Sequence, residues 1–406
     1  MNFIARIVVG AAATLLAGAA WPQQVPPRTV EDILAVLNQY HPDPAAAEKL
    51  RAAAALEPPV TGNRRDLAVF YHRRSRANES LGRLTRQIAD LNKALEYVLA
   101  HDSYEQERIG GRGQMLIDLA IAEQKGGNLL RSIEARKQVT SSPGEMLNQS
   151  ASLAAVYASL GDMPAARLAL RDVDDRAIAL KFSPSWHIWG DNWQRNVELG
   201  HARLLEAEGN FGEAERRRRA QLESAERFYN VAVAMHNHNA MDSLSRVLDH
   251  WANSEAALAG NLRQQGRGAE AEYYSRSALI RLLRAFGRYS VNSAGAVSQL
   301  GRIVLESGRF ADAAALAQAA IESYEKAGAA PESRSLAGAR GLLGAALVAQ
   351  GRWNDALAIF EARDKALAAD PDQYAKVSGG DLMWGIALLR TGDTRRALAM
   401  LEDIYR

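Results

Sequence analysis

The chain has 406 residues, of which 48% are hydrophobic and 24% are charged, and its formal net charge is +2. This length exceeds that of one compact domain and predicts either two domains or a repeat array, while the small net charge gives no reason to expect nucleic acid or an anionic membrane as partner. Because the sequence contains no cysteine, it excludes disulfides, thiolate metal sites, cysteine nucleophiles and a lipid anchor on an N-terminal cysteine.

The N-terminal segment 1–20 has the pattern of a secretory signal peptide. Arg6 supplies the positive start, the apolar stretch runs from Ile7 to Leu16, and small residues at 17–20 suit a signal peptidase. The apolar stretch is shorter than the about 20 residues that span a bilayer, although an uncleaved anchor remains the alternative. We therefore predict a periplasmic or secreted protein that is not a lipoprotein, with a proline-rich linker over residues 21–27.

A helical hairpin is predicted over residues 28–60. Thr29 can cap a helix with an apolar face formed by Val30, Ile33, Leu34 and Leu37. The prolines at 42 and 44 break the chain, and a second helix runs to Glu57 before another pair of prolines. We expect this hairpin to lie over the first unit of the region that follows.

Residues 61–406 carry an internal repeat that is marked by glycines. Each glycine stands between two stretches of helical pattern; the shortest interval runs from Gly127 to Gly161 and the longest from Gly209 to Gly266. Such intervals are typical of stacked helix pairs. The marker glycines are Gly82, Gly127, Gly161, Gly209, Gly266, Gly308, Gly351 and Gly392.

Small residues flank the marker glycines at fixed distances. The residue seven positions before the glycine is always Ser, Ala or Gly, and the residue five positions after it is alanine in six of eight cases. Gln87 and Ser132 are the two exceptions, which makes the packing of the first two units less regular. Two antiparallel helices cross closely near their turn, so that only small side chains fit there, and glycine ends the first helix in a left-handed conformation.

Several of these segments resemble the tetratricopeptide repeat family. Leu81-Gly82-Arg83-Leu84, followed by residues 88–95, is similar to that family's second helix, and so is Gly351 with the six residues after it. The resemblance covers residues 61–406 and implies an all-α, right-handed superhelical solenoid of about eight helix pairs that binds a protein or peptide. Most intervals exceed the family's repeat length of about 34 residues, which indicates lengthened helices and keeps a HEAT-type array as the alternative.

Three local features each have two interpretations. Trp186, Trp189 and Trp193 share one helix face, either as an aromatic recognition stripe or as filling for a gap left by a lengthened helix. The helical pattern from Glu213 toward His250 is the longest in the chain and contains the basic run 216–219, which nearby glutamates balance on a solvated face. His236 and His238 lie two residues apart and therefore point to different sides of a helix, which argues against a shared metal ion.

The candidate binding groove follows from the register of the repeat. In a tetratricopeptide superhelix the first helix of each pair lines the concave side, which places residues thirteen and six positions before each glycine on the groove. Asparagine can bond a peptide backbone through its donor and its acceptor, and arginine binds carboxylates with two hydrogen bonds. We predict an extended or acidic peptide there, with ordinary polar lining as the alternative, over Arg76, Asn148, Asn196, Arg203, Asn253 and Arg302.

The last two units are predicted to present an apolar groove formed by Val348, Leu382, Ile386 and Leu389. Exposed apolar surface of this kind is usually covered, here by a second copy in a homodimer, by a partner or by a further domain. The signal peptide, the hairpin and the long repeats together resemble the front half of exported proteins with a caspase-like CHAT protease domain. That resemblance implies a regulatory arm as the alternative to a binding scaffold; for these residues themselves we predict no enzymatic activity, no cofactor and no metal.

Overall fold

The computed structural model describes residues 29–60, 62–99, 104, 109, 111–235, 244–370 and 381–405. The predicted signal peptide, the linker at 21–27, and His236 and His238 lie outside these residues. Every regular element in the described part is an α-helix, and none of these helices is both long and apolar enough to cross a membrane.

Two short helices precede eight helix pairs. Thr29 caps the first helix, since its hydroxyl accepts a bond from the Asp32 N–H while the Asp32 carboxylate accepts one from the Thr29 N–H. The eight pairs, called repeats 1 to 8, follow in chain order from α3/α4 to α17/α18. The helices are α1 Val30–Leu37, α2 Pro44–Ala55, α3 Arg64–Ser80, α4 Leu84–Tyr97, α5 Arg112–Lys125, α6 Leu129–Lys137, α7 Pro143–Leu160, α8 Met163–Leu180, α9 Trp186–Ala207, α10 Phe211–Met235, α11 Leu244–Gln264, α12 Gly268–Phe286, α13 Val291–Glu306, α14 Phe310–Lys326, α15 Arg334–Ala349, α16 Trp353–Leu367, α17 Leu382–Arg390 and α18 Thr394–Tyr405.

The marker glycines make the turns within the pairs, as predicted. All eight have positive φ, between 68° and 92°, a left-handed conformation that side chains resist. At Gly161 the following N–H, that of Asp162, bonds back to the Tyr157 carbonyl at 3.0 Å and so ends the helix.

The predicted small positions are the points where the two helices of a pair touch. All sixteen residues, seven before and five after each glycine, are buried, including Gln87 and Ser132. A Cβ atom added at Gly344 would lie 2.5 Å from the Phe360 ring, and one added at Gly385 would lie 2.9 Å from Leu401. The chain therefore has a tetratricopeptide-like all-α fold, and these contacts set its helix spacing.

Repeats 4 and 5 contain the longest helices. Helices α9, α10 and α11 have 22, 25 and 21 residues, in agreement with the lengthening predicted from the spacing. The single helical pattern expected from Glu213 toward His250 is wrong, because α10 and α11 are separate helices that pack against each other. A pattern of apolar residues continues across both helices because each of them buries one face.

The tryptophans of α9 fill the space beside this lengthened helix. Trp193 is buried in a cluster with α7 and α8, and Trp186 and Trp189 pack against that cluster. Trp193 occupies the place that a side chain on Gly144 would take, since a Cβ there would lie 2.4 Å from its indole nitrogen. Of the two interpretations, the structure favours gap filling over a recognition stripe.

The N-terminal helices join repeat 1 to repeats 5 and 6. Helix α2 packs on α3 through Ala54, Ala77 and Leu81, as expected for a hairpin over the first unit. Helix α1 departs from that prediction, because its apolar face is buried in the core cluster that contains α12, α13 and α14. The Tyr40 hydroxyl after α1 donates to the carbonyl of Leu283, at 3.4 Å.

Repeat 1 also contacts the loop between α14 and α15 directly. The N–H of Ala330 donates to the Leu81 carbonyl at 2.8 Å, and the backbone of Gly82 lies so close to Ser333 that an added Cβ would be 2.7 Å from that residue's Cβ. The Thr85 hydroxyl bonds Asp370 beyond α16, at 3.1 Å. These contacts join residues more than two hundred positions apart and close the solenoid on itself between repeats 1 and 7.

Candidate functional site

Contact between the early and the late repeats forms a partly open cavity between them. We call it the central cavity; its volume is about 500 Å³, within the range of sites that hold small molecules or short peptide segments. Its walls come from two separate parts of the array, repeats 1 and 2 on one side and repeats 5 to 7 on the other. The lining residues are Glu79, Gly82, Leu84, Gln87, Lys125, Asn253, Ala256, Ser275, Ala278, Leu282, Val291, Asn292, Gly295, Ala296, Gln299, Tyr324, Arg334 and Ser335.

One wall of the central cavity is apolar and made of small or branched side chains. Ala256, Ala278, Leu282 and Val291 belong to this wall or pack into the core behind it. The absence of a side chain at Gly295 leaves space beside the Tyr324 hydroxyl, which would lie 3.3 Å from an added Cβ. This wall can bury aliphatic groups of a ligand.

A polar group of the cavity lies on α11 and α13, where two asparagines donate hydrogen bonds to one carboxylate. The Asn253 amide donates to one oxygen of Asp249 at 3.0 Å, and the Asn292 amide donates to the other at 3.2 Å. A carboxylate accepts hydrogen bonds only, so these contacts fix the orientation of both amides. Their carbonyl oxygens accept no bond from the described residues and remain available to a ligand. We call these three residues the Asp249 cluster.

A third side-chain amide whose oxygen is left without a donor lies farther along α13. Gln299 donates from its amide nitrogen to the Ala256 carbonyl at 3.1 Å, and its side-chain oxygen likewise accepts no bond within the described part of the chain. Tyr324 also lines the cavity, and burial raises the pKa of its phenol, so that the hydroxyl keeps its proton at neutral pH. The cavity therefore offers several acceptors and a hydroxyl in addition to apolar surface.

The charged groups of repeats 1, 2 and 7 lie where the early and the late repeats meet. Lys125 pairs with Glu79 at 3.3 Å, and Arg334 donates to the Lys125 carbonyl at 2.8 Å. All three residues line the central cavity. Contact between the distant repeats thus sets the charge of this side, which no segment of the sequence shows alone.

Of the six predicted polar groove residues, only Asn253 lines the central cavity. Asn196 donates to Asn148 at 2.5 Å, so these two amides bind each other across repeats 3 and 4. Arg76 and Arg203 each pair with a glutamate three residues ahead on their own helix. Arg302 is exposed and has no hydrogen-bond or ion-pair partner among the described residues. The predicted set lies on the first helices of repeats 1 and 3 to 6, and Asn148 and Asn196 are the pair of this set that the structure joins by a hydrogen bond.

The predicted apolar groove of the last two repeats needs a correction. Val348 is 5% exposed and belongs to the central core cluster, because α15 packs against α13 and α17 as well as against its partner α16. Leu382 and Leu389 are more than half exposed, as expected of an uncovered face, while Ile386 is half-buried against the core.

The basic run 216–219 is also placed differently from the prediction. Arg218 is fully buried, and its guanidinium donates to both oxygens of Glu206, at 2.9 and 2.7 Å. Burial alone would raise the pKa of Glu206, but the bonds from Arg218 bring it below its usual value. The solvated face holds for Arg216, which is exposed and pairs with Glu213.

The register argument missed Asp249 and Asn292, the residues that complete the site around Asn253. Asp249 lies one helical turn before Asn253 on the same face of α11, so extending the register by one turn would have found it. Lys125 and Glu79 give no such signal, because they reach the cavity only through closure. Within the described residues no group of three or more histidine or acidic side chains is arranged to hold a metal ion.

Comparisons with known proteins give matches in structure only. No protein-family model matches this sequence, and no curated protein does. Among solved structures, a STAND ATPase with a tetratricopeptide repeat sensor from Pyrococcus horikoshii aligns at 13% identity and TM-score 0.47 over 88% of this chain, which spans 50% of that protein. A Rap protein complexed with competence and sporulation factor aligns at 14% and 0.47, over 93% of this chain and 99% of that one. Tetratricopeptide-like repeats of a putative kinesin light chain from Podosopora anserina align at 16% and 0.39, over 54% and 94%.

Proposed function

We propose that this chain is a binding protein that holds a short peptide, or a short segment of a protein, in the central cavity. The observation that carries the proposal is the combination of an apolar wall and unpaired amide oxygens in one partly open cavity of about 500 Å³. A peptide offers backbone N–H donors to Asn253, Asn292 and Gln299, and its aliphatic side chains can be buried against α11 to α13.

The wall formed by repeats 1 and 2 refines the prediction of an extended peptide in an open groove. An open groove along all eight repeats would hold a long segment, whereas the central cavity is bounded by repeats 1 and 2 on one side. The binding face is therefore formed by repeats 5 to 7 together with the first two repeats, and the ligand is a few residues long. Asn253 is the residue that the two descriptions share.

Binding is tested by equilibrium dialysis of the purified chain against a tetrapeptide library with free termini, read out by mass spectrometry. Ala256→Phe places a ring in the cavity and is expected to lower peptide retention about tenfold or more, which corresponds to about 1.4 kcal/mol of binding free energy. Asn292→Trp is a second blocking variant at an exposed lining residue. Ala362→Phe is the matched control, because Ala362 is exposed on α16 away from the lining residues.

Two results would remove the proposal. The first is that the unaltered chain retains no peptide, and the second is that both blocking variants retain peptides as well as the control does. Circular dichroism of each variant shows whether helicity is preserved, so that loss of binding can be separated from loss of fold.

We propose as the alternative role a regulatory arm of a CHAT-type protease, which needs a surface on which the further domain packs. Leu382 and Leu389 lie on one face of α17 and are 54% and 51% exposed, as expected where a further domain or a partner packs. The exported location remains a proposal that rests on the sequence of residues 1–20. Finding the chain in the periplasmic fraction of its host, shortened by about that segment, tests it.

A further inference from the structure

The Asp249 carboxylate has no cationic partner in direct contact. Its two hydrogen bonds come from the neutral amides of Asn253 and Asn292, and no lysine, arginine or histidine among the described residues forms an ion pair with it. Charges that are withdrawn from water are normally paired, because removing an ion from water is costly. Asp249 is half-buried, and each of its oxygens keeps a free acceptor position.

The two cations that act electrostatically on Asp249, Arg195 and Lys125, do not take the place of a direct partner. Arg195 of α9 is buried and donates to Asn192, at 3.2 and 3.1 Å, while Lys125 of α5 pairs with Glu79. Burial raises the pKa of Asp249, and the opposing influence of Asn253, Arg195, Lys125 and Asn292 leaves it raised. The neighbouring His250 is kept neutral, since burial and Arg195 lower its pKa to about 3.

Glu206 shows how a carboxylate of this chain is stabilised when a cation contacts it directly. Glu206 receives two bonds from the Arg218 guanidinium, which is fully buried, and its pKa falls below the usual value despite burial. The Asp249 cluster has the same acceptor chemistry without the cation. It lies at the wall of the central cavity, since Asn253 and Asn292 both line it.

From this geometry we infer that the Asp249 cluster binds a primary ammonium group of the peptide held in the central cavity. The inference rests on the proposed function and names the part of the ligand that is recognised. An ammonium group has three donors, which can be shared between the carboxylate of Asp249 and the unpaired oxygens of Asn253 and Asn292. Hydrogen bonds between charged partners are roughly twice as strong as those between neutral ones.

Two sources can supply the same ammonium chemistry, the amino terminus of a peptide and a lysine side chain. Three tetrapeptide libraries separate them: one with free amino termini and without lysine, one acetylated and without lysine, and one acetylated with lysine at one position. Equilibrium dialysis of the full chain against each library measures the retained peptides by mass spectrometry. Asp249→Asn removes the charge and keeps the shape, and Asp355→Asn is the matched control on α16, where the exposed Asp355 pairs with Arg352.

We expect the acetylated library without lysine to be retained about tenfold to a hundredfold less than one or both of the ammonium-bearing libraries. Asp249→Asn is expected to remove this preference, whereas Asp355→Asn preserves it. A preference for the free-terminus library identifies the amino terminus as the recognised group, and a preference for the lysine library identifies the side chain.

Failure of this inference is distinct from failure of the proposed function. If all three libraries are retained equally, or if Asp249→Asn keeps the preference, the chain binds peptides but the Asp249 cluster does not select ammonium. If none of the three is retained, peptide binding itself is refuted. The comparison of libraries on the unaltered chain holds even if Asp249→Asn folds poorly, because it needs no variant.

Discussion

Closure of the solenoid makes a sharp prediction at Gly82. Gly82 and Gly161 play the same part in their repeats, with φ of 68° and 78°, so alanine meets the same backbone resistance at both positions. Their surroundings differ, because a Cβ at Gly82 would lie 2.7 Å from the Ser333 Cβ, whereas nothing lies within 4 Å of one at Gly161. We expect Gly82→Ala to destabilise the chain more than Gly161→Ala.

The size of the difference follows from the two costs. A left-handed conformation at a residue with a side chain costs about 1–2 kcal/mol, and this cost is common to both variants. Overpacking at a tight contact adds about 1–3 kcal/mol, and this cost applies only at Gly82. The predicted loss of unfolding free energy is therefore about 1–2 kcal/mol for Gly161→Ala and about 2–5 kcal/mol for Gly82→Ala.

Urea unfolding measures these losses by circular dichroism and tryptophan fluorescence, which should give coincident transitions if one free energy is to be used. Ser333→Gly provides the coupling test, because it removes the clashing atoms and costs only a few tenths of a kcal/mol at a helix N-cap. In that background the cost of Gly82→Ala should fall to that of Gly161→Ala. Equal costs of the two glycine variants in the unaltered chain would show that repeat 1 does not touch the α14–α15 loop in solution, and the central cavity would be refuted.

Three further predictions concern single side chains. Gly338→Ala, in open space on α15, should stabilise the chain by about 1 kcal/mol through helix propensity. Gly344→Ala gains the same propensity but places a Cβ 2.5 Å from the Phe360 ring, so it should be about 1–3 kcal/mol less stable than Gly338→Ala in thermal unfolding. Arg218→Met should cost about 1.5–3 kcal/mol, since it removes two short bonds to the half-buried Glu206, which keeps only the 3.4 Å bonds from Arg203 and Asn261. The exposed Arg216→Met should cost less than about 1 kcal/mol in urea unfolding. The pKa of His250 is about 3 in the folded chain against an ordinary 6.5, so between these pH values only the unfolded chain binds a proton at this residue. The unfolding free energy is therefore unaffected by His250 above pH 6.5 and falls as the pH drops from 6.5 toward 3. His250→Gln should remove this part of the pH dependence of the urea midpoint, and an unchanged dependence would contradict the burial of the ring.

The repeat and its turns could be predicted from the sequence because they depend on neighbours within one helix pair. A left-handed turn needs glycine, and the crossing of two helices next to that turn needs small side chains a fixed number of residues away. The same residue types at this spacing therefore predict the same turn and crossing in any chain, as they do here at Gly161, Gly344 and Ala356. The resemblance to tetratricopeptide repeats rested on these positions and is supported by the structure.

Burial of the charged residues could not be predicted in the same way. Helical spacing placed Arg218 on a solvated face, because glutamates of its own helix lie one turn away and can balance its charge. Its actual partner, Glu206, lies on α9, the other helix of repeat 4. Packing of α9 against α10 withdraws both charged groups from water. Val348 shows the converse case, since the register assigned it to a groove that neighbouring helices cover.

What the sequence by itself determined is the unit: two helices, a glycine turn and a close crossing, repeated eight times. Only the tertiary structure decided how the units end up in space, because small rotations between successive repeats add up along the array. Their sum brings Gly82 against Ser333 and Lys125 against Arg334, and no local pattern reports a sum of this kind. The central cavity and the position of Asp249 beside it are consequences of that closure.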